Sequence, residues 1–214
     1  MKNLKIRSKL TLVLVIAVLC LLLTGVVSVV CMTIINKKTT EINEKSIPLL
    51  TATQELRTNM ADFRRMTLRH VLTEDSDGMG TIEKELQTSS EEISAGLSDC
   101  DSRAESSEVK KMVDNVSSGW NTYLTSSEQV LRASRQGEKD NAMEISISSS
   151  SDYDTVADQL AELAKYCEDH AENLATESGS AFRSANTIMI TIIVVSIVLL
   201  IAGSMIVIRL ITKP

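Results

Sequence analysis

Two long uncharged runs constrain this sequence more than any other feature. Thr11–Ile35 contains 25 residues without a charged side chain, and Thr187–Ile208 is a second run of the same kind. About 20 consecutive apolar residues are enough for a helix to span the ~30 Å hydrocarbon core of a bilayer. A cleaved signal peptide would have a shorter apolar region that ends in small residues. The sequence therefore predicts two transmembrane helices, residues 11–35 and residues 187–208.

Charged residues around these runs predict the orientation of the chain. Residues 1–10 and 209–214 contain basic but no acidic side chains, namely Lys2, Lys5, Arg7, Lys9, Arg209 and Lys213. The positive-inside rule makes both flanks cytoplasmic, so residues 36–186 are exported, to the periplasm or the cell exterior. This segment holds all 28 acidic residues but only 16 of the 22 basic ones, which leaves a net charge of −12 and argues against nucleic acid as a partner. We expect a two-pass protein of the bacterial inner membrane, in contact with membrane lipid.

The exported segment has the periodicity of packed helices. Its single proline, Pro48, marks a kink or a break. Apolar residues recur three and four positions apart along four stretches. Members of the four stripes are Ile42, Leu49, Leu56 and Phe63; Ile82, Leu86, Ile93 and Leu97; Val109, Val113, Val116 and Trp120; and Val156, Leu160, Leu163 and Cys167. Because both ends of the segment meet one membrane, the predicted fold class is all-α, an up-down-up-down four-helix bundle between two transmembrane helices.

Turn signals set the expected boundaries inside this bundle, which we assign to residues 36–186. The first helix is expected over Asn36–Leu72, followed by a turn over Thr73–Gly80 that contains Asp and two glycines. The serine-rich stretch Gly137–Asp152 reads as a weakly helical connector before the last helix. Ser151 or Asp152 is expected to cap that helix, because either side chain can accept its free N–H groups.

The sequence contains no recognisable set of catalytic or metal-binding residues. It has no phosphate-binding glycine loop and none of the common hydrolase or metalloprotease motifs. His70 and His170 fall on different helices and are expected to pack in the core. Cys100 and Cys167 lie on apolar stripes, where two buried free thiols are favoured over a bridge. We therefore expect no enzyme, no cofactor and no metal ion.

One cluster of charges on the first helix points to a ligand. The segment ADFRRMTLRH places Arg64 and Arg69 on opposite sides of the core stripe that contains Phe63, about 140° apart. We expect them to be too far apart to hold one small ligand within a single chain, whereas they would converge across a two-fold dimer seam. Guanidinium groups bind carboxylates through paired hydrogen bonds, so a small organic anion would be the ligand. The alternative is that Asp62 pairs with Arg65 and the other arginines are solvated.

The sequence resembles the amino-terminal half of bacterial methyl-accepting chemotaxis receptors that have a four-helix-bundle sensor. The resemblance covers all 214 residues and rests on the order and spacing of several short features. These are the basic start KNLKIRSKL, IPLL at Ile47–Leu50, Trp120 and Tyr123 in the third helix, Gly137 followed by Ala142, and RLITKP, in which Pro214 matches an early proline of the HAMP linker.

The resemblance implies how such a protein would work. It implies a homodimer that binds a ligand at the dimer interface and shifts its last helix, which continues into a HAMP linker beginning at residues 209–214. In the aspartate and serine receptors, an Arg-x4-Arg pair of the first helix binds the amino acid's carboxylate, and Arg64 and Arg69 match that pair. Ser149 and Ser150 correspond to the start of the fourth helix, which contributes there as well. With Phe63, these residues form the predicted ligand site.

Two other functional classes remain open at this point. The same sensor occurs on histidine kinases and diguanylate cyclases, whose output domains would differ. A membrane-tethered bundle could also be an interaction module that binds a periplasmic binding protein, without a small ligand. For a chemotaxis receptor, we expect an amino acid or an organic acid as the ligand.

Overall fold

The computed structural model describes residues 6–212, and within this range every regular element is helical. The elements are α1 (Ile6–Glu41), a π-helical turn (Ile42–Ser46), α2 (Ile47–Leu72), α3 (Ser76–Arg103), α4 (Ser107–Arg135), α5 (Lys139–Ser148) and α6 (Ser150–Thr212). The bundle consists of α2, α3, α4 and the first part of α6, which confirms the predicted all-α, up-down-up-down fold. Residues 1–5 of the predicted cytoplasmic N-terminus lie outside the described residues, as do Lys213 and Pro214 of the predicted HAMP start.

The chain divides into two compact units. Ile42–Glu172 forms the bundle, and the chain on either side of it forms the second unit. In this second unit α1 lies antiparallel to the later part of α6. Ser28 Oγ donates to Met189 Sδ at 3.0 Å, Cys31 Sγ lies 3.6 Å from the carbonyl oxygen of Ala181, and Lys38 pairs with Glu177. Both helices are long and apolar enough to cross a membrane, and their most apolar windows are 0% buried in the structure.

The predicted first bundle helix is not one continuous α-helix. The predicted helix 36–72 consists of the end of α1, the π-helical turn and α2, with Pro48 in the first turn of α2. Proline has no amide hydrogen, and its ring clashes with the carbonyl four residues earlier, so the α-helical pattern cannot continue through it. The wider π turn absorbs this interruption and lets the chain continue as helix.

The connections in the bundle contain fewer residues than the turn signals in the sequence predicted. Asp75 caps α3 by accepting a hydrogen bond from the Gly78 amide at 2.5 Å, so the helix begins at Ser76. The predicted turn over 73–80 was therefore too long, since both of its glycines lie inside α3. Ser106 caps α4 in the same way, through the Val109 amide at 3.1 Å.

The connection between α4 and α6 contains a helix of its own. Gly137 ends the preceding helix with φ +79°, a backbone conformation that favours glycine. The stretch predicted as a weakly helical connector then forms α5, which Ala142 anchors in a small apolar cluster at 0% exposure. Because α6 starts at Ser150, the predicted cap at Ser151 or Asp152 was wrong, and both residues lie in the helix's first turn.

The core is built from the four predicted stripes. The buried residues of the main cluster include Leu49, Leu56, Phe63, Ile82, Leu86, Ile93, Val113, Val116, Trp120, Val156, Leu160 and Leu163. Cys100 and Cys167 join this cluster as free thiols, as predicted, and burial raises the pKa of each to about 11. At that pKa both thiols are protonated at neutral pH and behave as small apolar side chains.

Candidate ligand-binding site

An open cleft of about 500 Å³ lies on the outward face of α2, against the start of α6. We call it the arginine cleft. It is lined by Ala61, Arg64, Arg65, Leu68, Arg69, Leu72 and Tyr153. Its volume lies within the range of small-molecule sites, but it is a shallow depression that is open to solvent in the single chain.

The helical wheel explains why both predicted arginines reach this cleft. At about 100° per residue, the shorter arc between Arg64 and Arg69 is the one that faces away from the core. Ala61, Leu68 and Leu72 lie on that outward arc. Arg64 nevertheless contacts α6 and Arg69 pairs with Glu85 of α3, so the expectation that one chain does not bring both guanidinium groups onto one small ligand stays a prediction.

Arg64 has the loosest ion pair of the three arginines. Its Nη1 lies 3.7 Å from Asp154 Oδ1, beyond hydrogen-bonding distance, and the Asp154 side chain is 69% exposed. The guanidinium carbon sits 4.5 Å from the centre of the Tyr153 ring, a cation–π contact. Among the described residues, no carboxylate makes a hydrogen bond to Arg64.

The other two arginines of the cleft are engaged by acidic residues. Arg65 donates from Nη2 and Nε to Asp62 Oδ1 at 2.9 and 3.2 Å, which confirms the predicted i, i+3 pair. Arg69 pairs with Glu85 of α3. Both carboxylates line a second, smaller cleft between α2 and α3. The positive charge of these two arginines is thus partly neutralised within the chain.

A chain of aromatic contacts connects the core to the arginine cleft. Phe63 packs edge-on against Trp120 at 5.2 Å between ring centres, Trp120 contacts Tyr123 at 5.5 Å, and Tyr123 meets Tyr153 edge-on at 5.3 Å. Burial raises the pKa of Tyr123 and of Tyr153, and Arg64 partly opposes both shifts. Both phenols are therefore neutral at physiological pH.

Three of the predicted site residues do not line the cleft. Phe63 is 3% exposed and belongs to the core. Ser149 is buried between α5 and α6, where its hydroxyl donates to the Ser146 carbonyl at 3.2 Å, and Ser150 makes the same bond at 3.3 Å. Sequence reasoning missed Tyr153. The available signal was its position three residues before Val156, which puts it at the edge of the buried stripe of α6.

A second polar cluster, which we call the histidine cluster, joins α2, α3 and α4. His70 is 0% exposed, with Nδ1 2.9 Å from Ser134 Oγ and Nε2 3.1 Å from Glu83 Oε1. Arg135 Nε donates to the same Glu83 oxygen at 2.5 Å. The hydrogen bond from Arg135 is the main reason that the pKa of Glu83 is lowered, with a smaller contribution from His70. His70 is thus a satisfied core residue, as the sequence predicted.

These features define a helical sensor-type bundle that has a candidate membrane span at each end. The model of the family described as four helix bundle sensory module for signal transduction matches residues 3–182. The chain belongs to that family. No curated protein matches the chain.

Proposed function

We propose that this chain is the sensor and transmembrane portion of a methyl-accepting chemotaxis receptor, and that the arginine cleft binds a small carboxylate-bearing ligand. The observation that carries the proposal is the state of Arg64, which lines the cleft without a hydrogen-bonded carboxylate. A ligand carboxylate would supply the charge-assisted, two-point hydrogen bonds that the guanidinium offers. The chain acts as a sensor and not as an enzyme.

A homodimer is part of this proposal. The outward face of α2 presents Ala61, Leu68 and Leu72 at seven- and four-residue spacing, and Leu72 is 70% exposed. A second α2 packed against this stripe would bury it and cover the cleft, since heptad spacing suits helix pairing. The ligand would then lie at the interface and contact both chains.

The route of the signal follows α6. Tyr153 and Asp154 are the neighbours of Arg64 on α6, and that helix continues without a break through Thr212. A ligand that accepts hydrogen bonds from the Arg64 guanidinium would change the contacts that this side chain makes with the first turn of α6. The change would pass along the helix to a HAMP linker starting near residues 209–214.

The proposed location is the bacterial inner membrane, with the bundle in the periplasm and both ends in the cytoplasm. The basic flanks support this orientation through the positive-inside rule. A histidine kinase or a diguanylate cyclase could carry the same sensor. A tethered interaction module, for example one that docks a periplasmic binding protein, would bind no small ligand.

A thermal-shift screen tests the ligand proposal. The full chain in lipid nanodiscs is heated with individual amino and organic acids. At least one acid should raise the unfolding temperature, since a ligand that binds only the folded state stabilises it. Arg64→Gln should abolish this shift, whereas Arg132→Gln on α4 removes the same charge elsewhere and should retain it. No shift with any acid would favour the interaction module.

Cysteine cross-linking tests the dimer separately. In a chain whose four native cysteines are replaced by serine, Ala61→Cys, which lies in the proposed stripe, should form an interchain disulfide in membranes under mild oxidation. Asp114→Cys on α4 serves as the control and should cross-link much more slowly. Equal rates at both positions, or none at either, would contradict a dimer that pairs through α2.

A further inference from the structure

We propose that the ligand of the arginine cleft is a monocarboxylate with an apolar body and without an ammonium group, such as an aryl or branched-chain acid. This inference rests on the proposed function, because it takes the cleft to be the ligand site. It narrows the ligand from amino and organic acids in general to one chemical class.

The number of carboxylates follows from the ion pairs of the three arginines. Arg65 is held by two hydrogen bonds to Asp62, and Arg69 is paired with Glu85. Only Arg64 has its nearest carboxylate at 3.7 Å, too far for a hydrogen bond. A second ligand carboxylate would have to share the donors of Arg65 or Arg69 with an internal acid, whereas the first finds a guanidinium that donates to no carboxylate.

The absence of an ammonium group follows from the lining. Among the described residues, no carboxylate or amide side chain lines the cleft, and the Tyr153 hydroxyl is its one uncharged polar side-chain group. Asp154, the acid nearest to Arg64, is not part of the lining. The carbonyls of Ala61 to Arg69 are used inside α2 or at its end. An amino acid's ammonium would thus lie beside the Arg64 guanidinium. The acids nearest to the cleft, Asp62, Glu85 and Asp154, already face its arginines, so the site favours an anion over a zwitterion.

The apolar body follows from the remaining walls. Ala61, Leu68 and Leu72 form an apolar stripe beside Arg64, and the Tyr153 ring closes the cleft on the α6 side. Arg64 over one ring face and the edge contact with Tyr123 hold that ring in place. A carboxylate on Arg64 would leave the rest of the ligand against these carbons. Each methylene that it buries there improves binding by about threefold to fourfold.

Isothermal titration of the full chain in lipid nanodiscs tests this inference with five probes: phenylacetate, acetate, phenylalanine, succinate and phenethylamine. Phenylacetate should bind at least about tenfold more tightly than phenylalanine or succinate, because they add an unpaired ammonium or a second carboxylate. Phenethylamine should not bind. Arg64→Gln should weaken phenylacetate by at least about tenfold, and the control Arg132→Gln should not change it. Leu68→Ser should weaken phenylacetate by about threefold or more, yet leave acetate unchanged.

The outcomes separate this inference from the proposed function. Tighter binding of succinate or phenylalanine than of phenylacetate, lost in Arg64→Gln, would overturn the ligand class and leave the carboxylate site standing. Binding of phenethylamine at a comparable affinity would also overturn it. If none of the carboxylates binds, both the site and its ligand class fail.

Discussion

The histidine cluster and the arginine cleft lie within two turns of each other on α2, yet they differ in how far their polar groups are buried and hydrogen-bonded. His70 is fully buried, and each ring nitrogen has a partner from another helix. Arg64 is partly exposed, stacked on one tyrosine, and without a hydrogen-bonded carboxylate. A buried polar group without partners costs stability, so complete pairing marks a cluster that holds the fold together. Incomplete pairing on the surface leaves capacity for a ligand.

The comparison also separates stability from binding. Substitutions in the histidine cluster should change the free energy of unfolding of the bundle and leave anion binding intact in the folded fraction. Substitutions at the arginine cleft should change anion binding and leave the free energy of unfolding nearly unchanged. Trp120 is the chain's one tryptophan and is 1% exposed, so its fluorescence reports unfolding of the bundle directly.

The largest effect is expected from His70→Ala. The substitution leaves a cavity among three helices and removes one of the two partners of Glu83, so it should lower the free energy of unfolding by about 2–4 kcal/mol. Arg64→Ala should cost less than about 1 kcal/mol, because its ion pair is exposed and long. Denaturation followed by Trp120 fluorescence measures both. Equal losses in the free energy of unfolding of the two variants would contradict the different roles assigned to His70 and Arg64.

Ser134→Ala should have the next largest effect. It removes the hydroxyl beside His70 Nδ1 at a position with 0% exposure, so we expect a loss of about 1–3 kcal/mol. Ser118→Ala, on the exposed face of α4, is the matched control and should stay within about 0.5 kcal/mol of the parent chain. A loss of stability at Ser134 no greater than at Ser118 would contradict a stabilising role for the hydrogen bond between Ser134 and His70.

The pH dependence of stability should show a contribution from Glu83. Its pKa in the folded chain is lowered from 4.5, mainly by Arg135, so ionised Glu83 favours folding at neutral pH. This contribution is complete above the unfolded value and is lost as pH falls below 4.5 and through the lower folded value. The difference in the free energy of unfolding between the parent chain and Glu83→Gln should therefore become smaller as the pH falls from 6 to about 3. A gap that stays constant or widens would contradict the assigned direction.

The smallest effect is expected from Asp154→Asn, and it should appear in binding alone. The distant, exposed carboxylate competes weakly for Arg64, so its removal should tighten phenylacetate by about twofold to fivefold, with stability unchanged. Asp158→Asn, one turn further along α6, removes the same charge away from the cleft and should leave the affinity unchanged. Weaker binding in Asp154→Asn would show that Asp154 takes part in the site.

Periodicity predicted the bundle well because core packing depends on which residues face inward. Leu56, Trp120 and Leu160 were placed correctly from spacing alone. The stretch that forms α5 was predicted only as a weakly helical connector, because the helix is stabilised by burying Ala142 against neighbouring helices, a tertiary effect.

The candidate site was only partly predictable. Spacing identified Arg64 and Arg69, but it did not reveal that Glu85 of α3 engages Arg69, or that Tyr153 of α6 stacks on Arg64. Both contacts join helices far apart in sequence, and their geometry depends on how the bundle packs. For the same reason, Phe63 and Ser149 were assigned to the site although the structure buries them elsewhere.

The central claim, that a ligand in the arginine cleft acts through α6 across the membrane, is tested most directly by cross-linking α6 to α1. Cys31 lies 3.6 Å from the Ala181 carbonyl, so Ala181→Cys, with the other three cysteines replaced by serine, should form a disulfide under mild oxidation. Addition of the acid that stabilises the chain most should change the initial rate, and Arg64→Gln should abolish the change while Arg132→Gln retains it. An unchanged rate under conditions where that acid is bound would contradict the account.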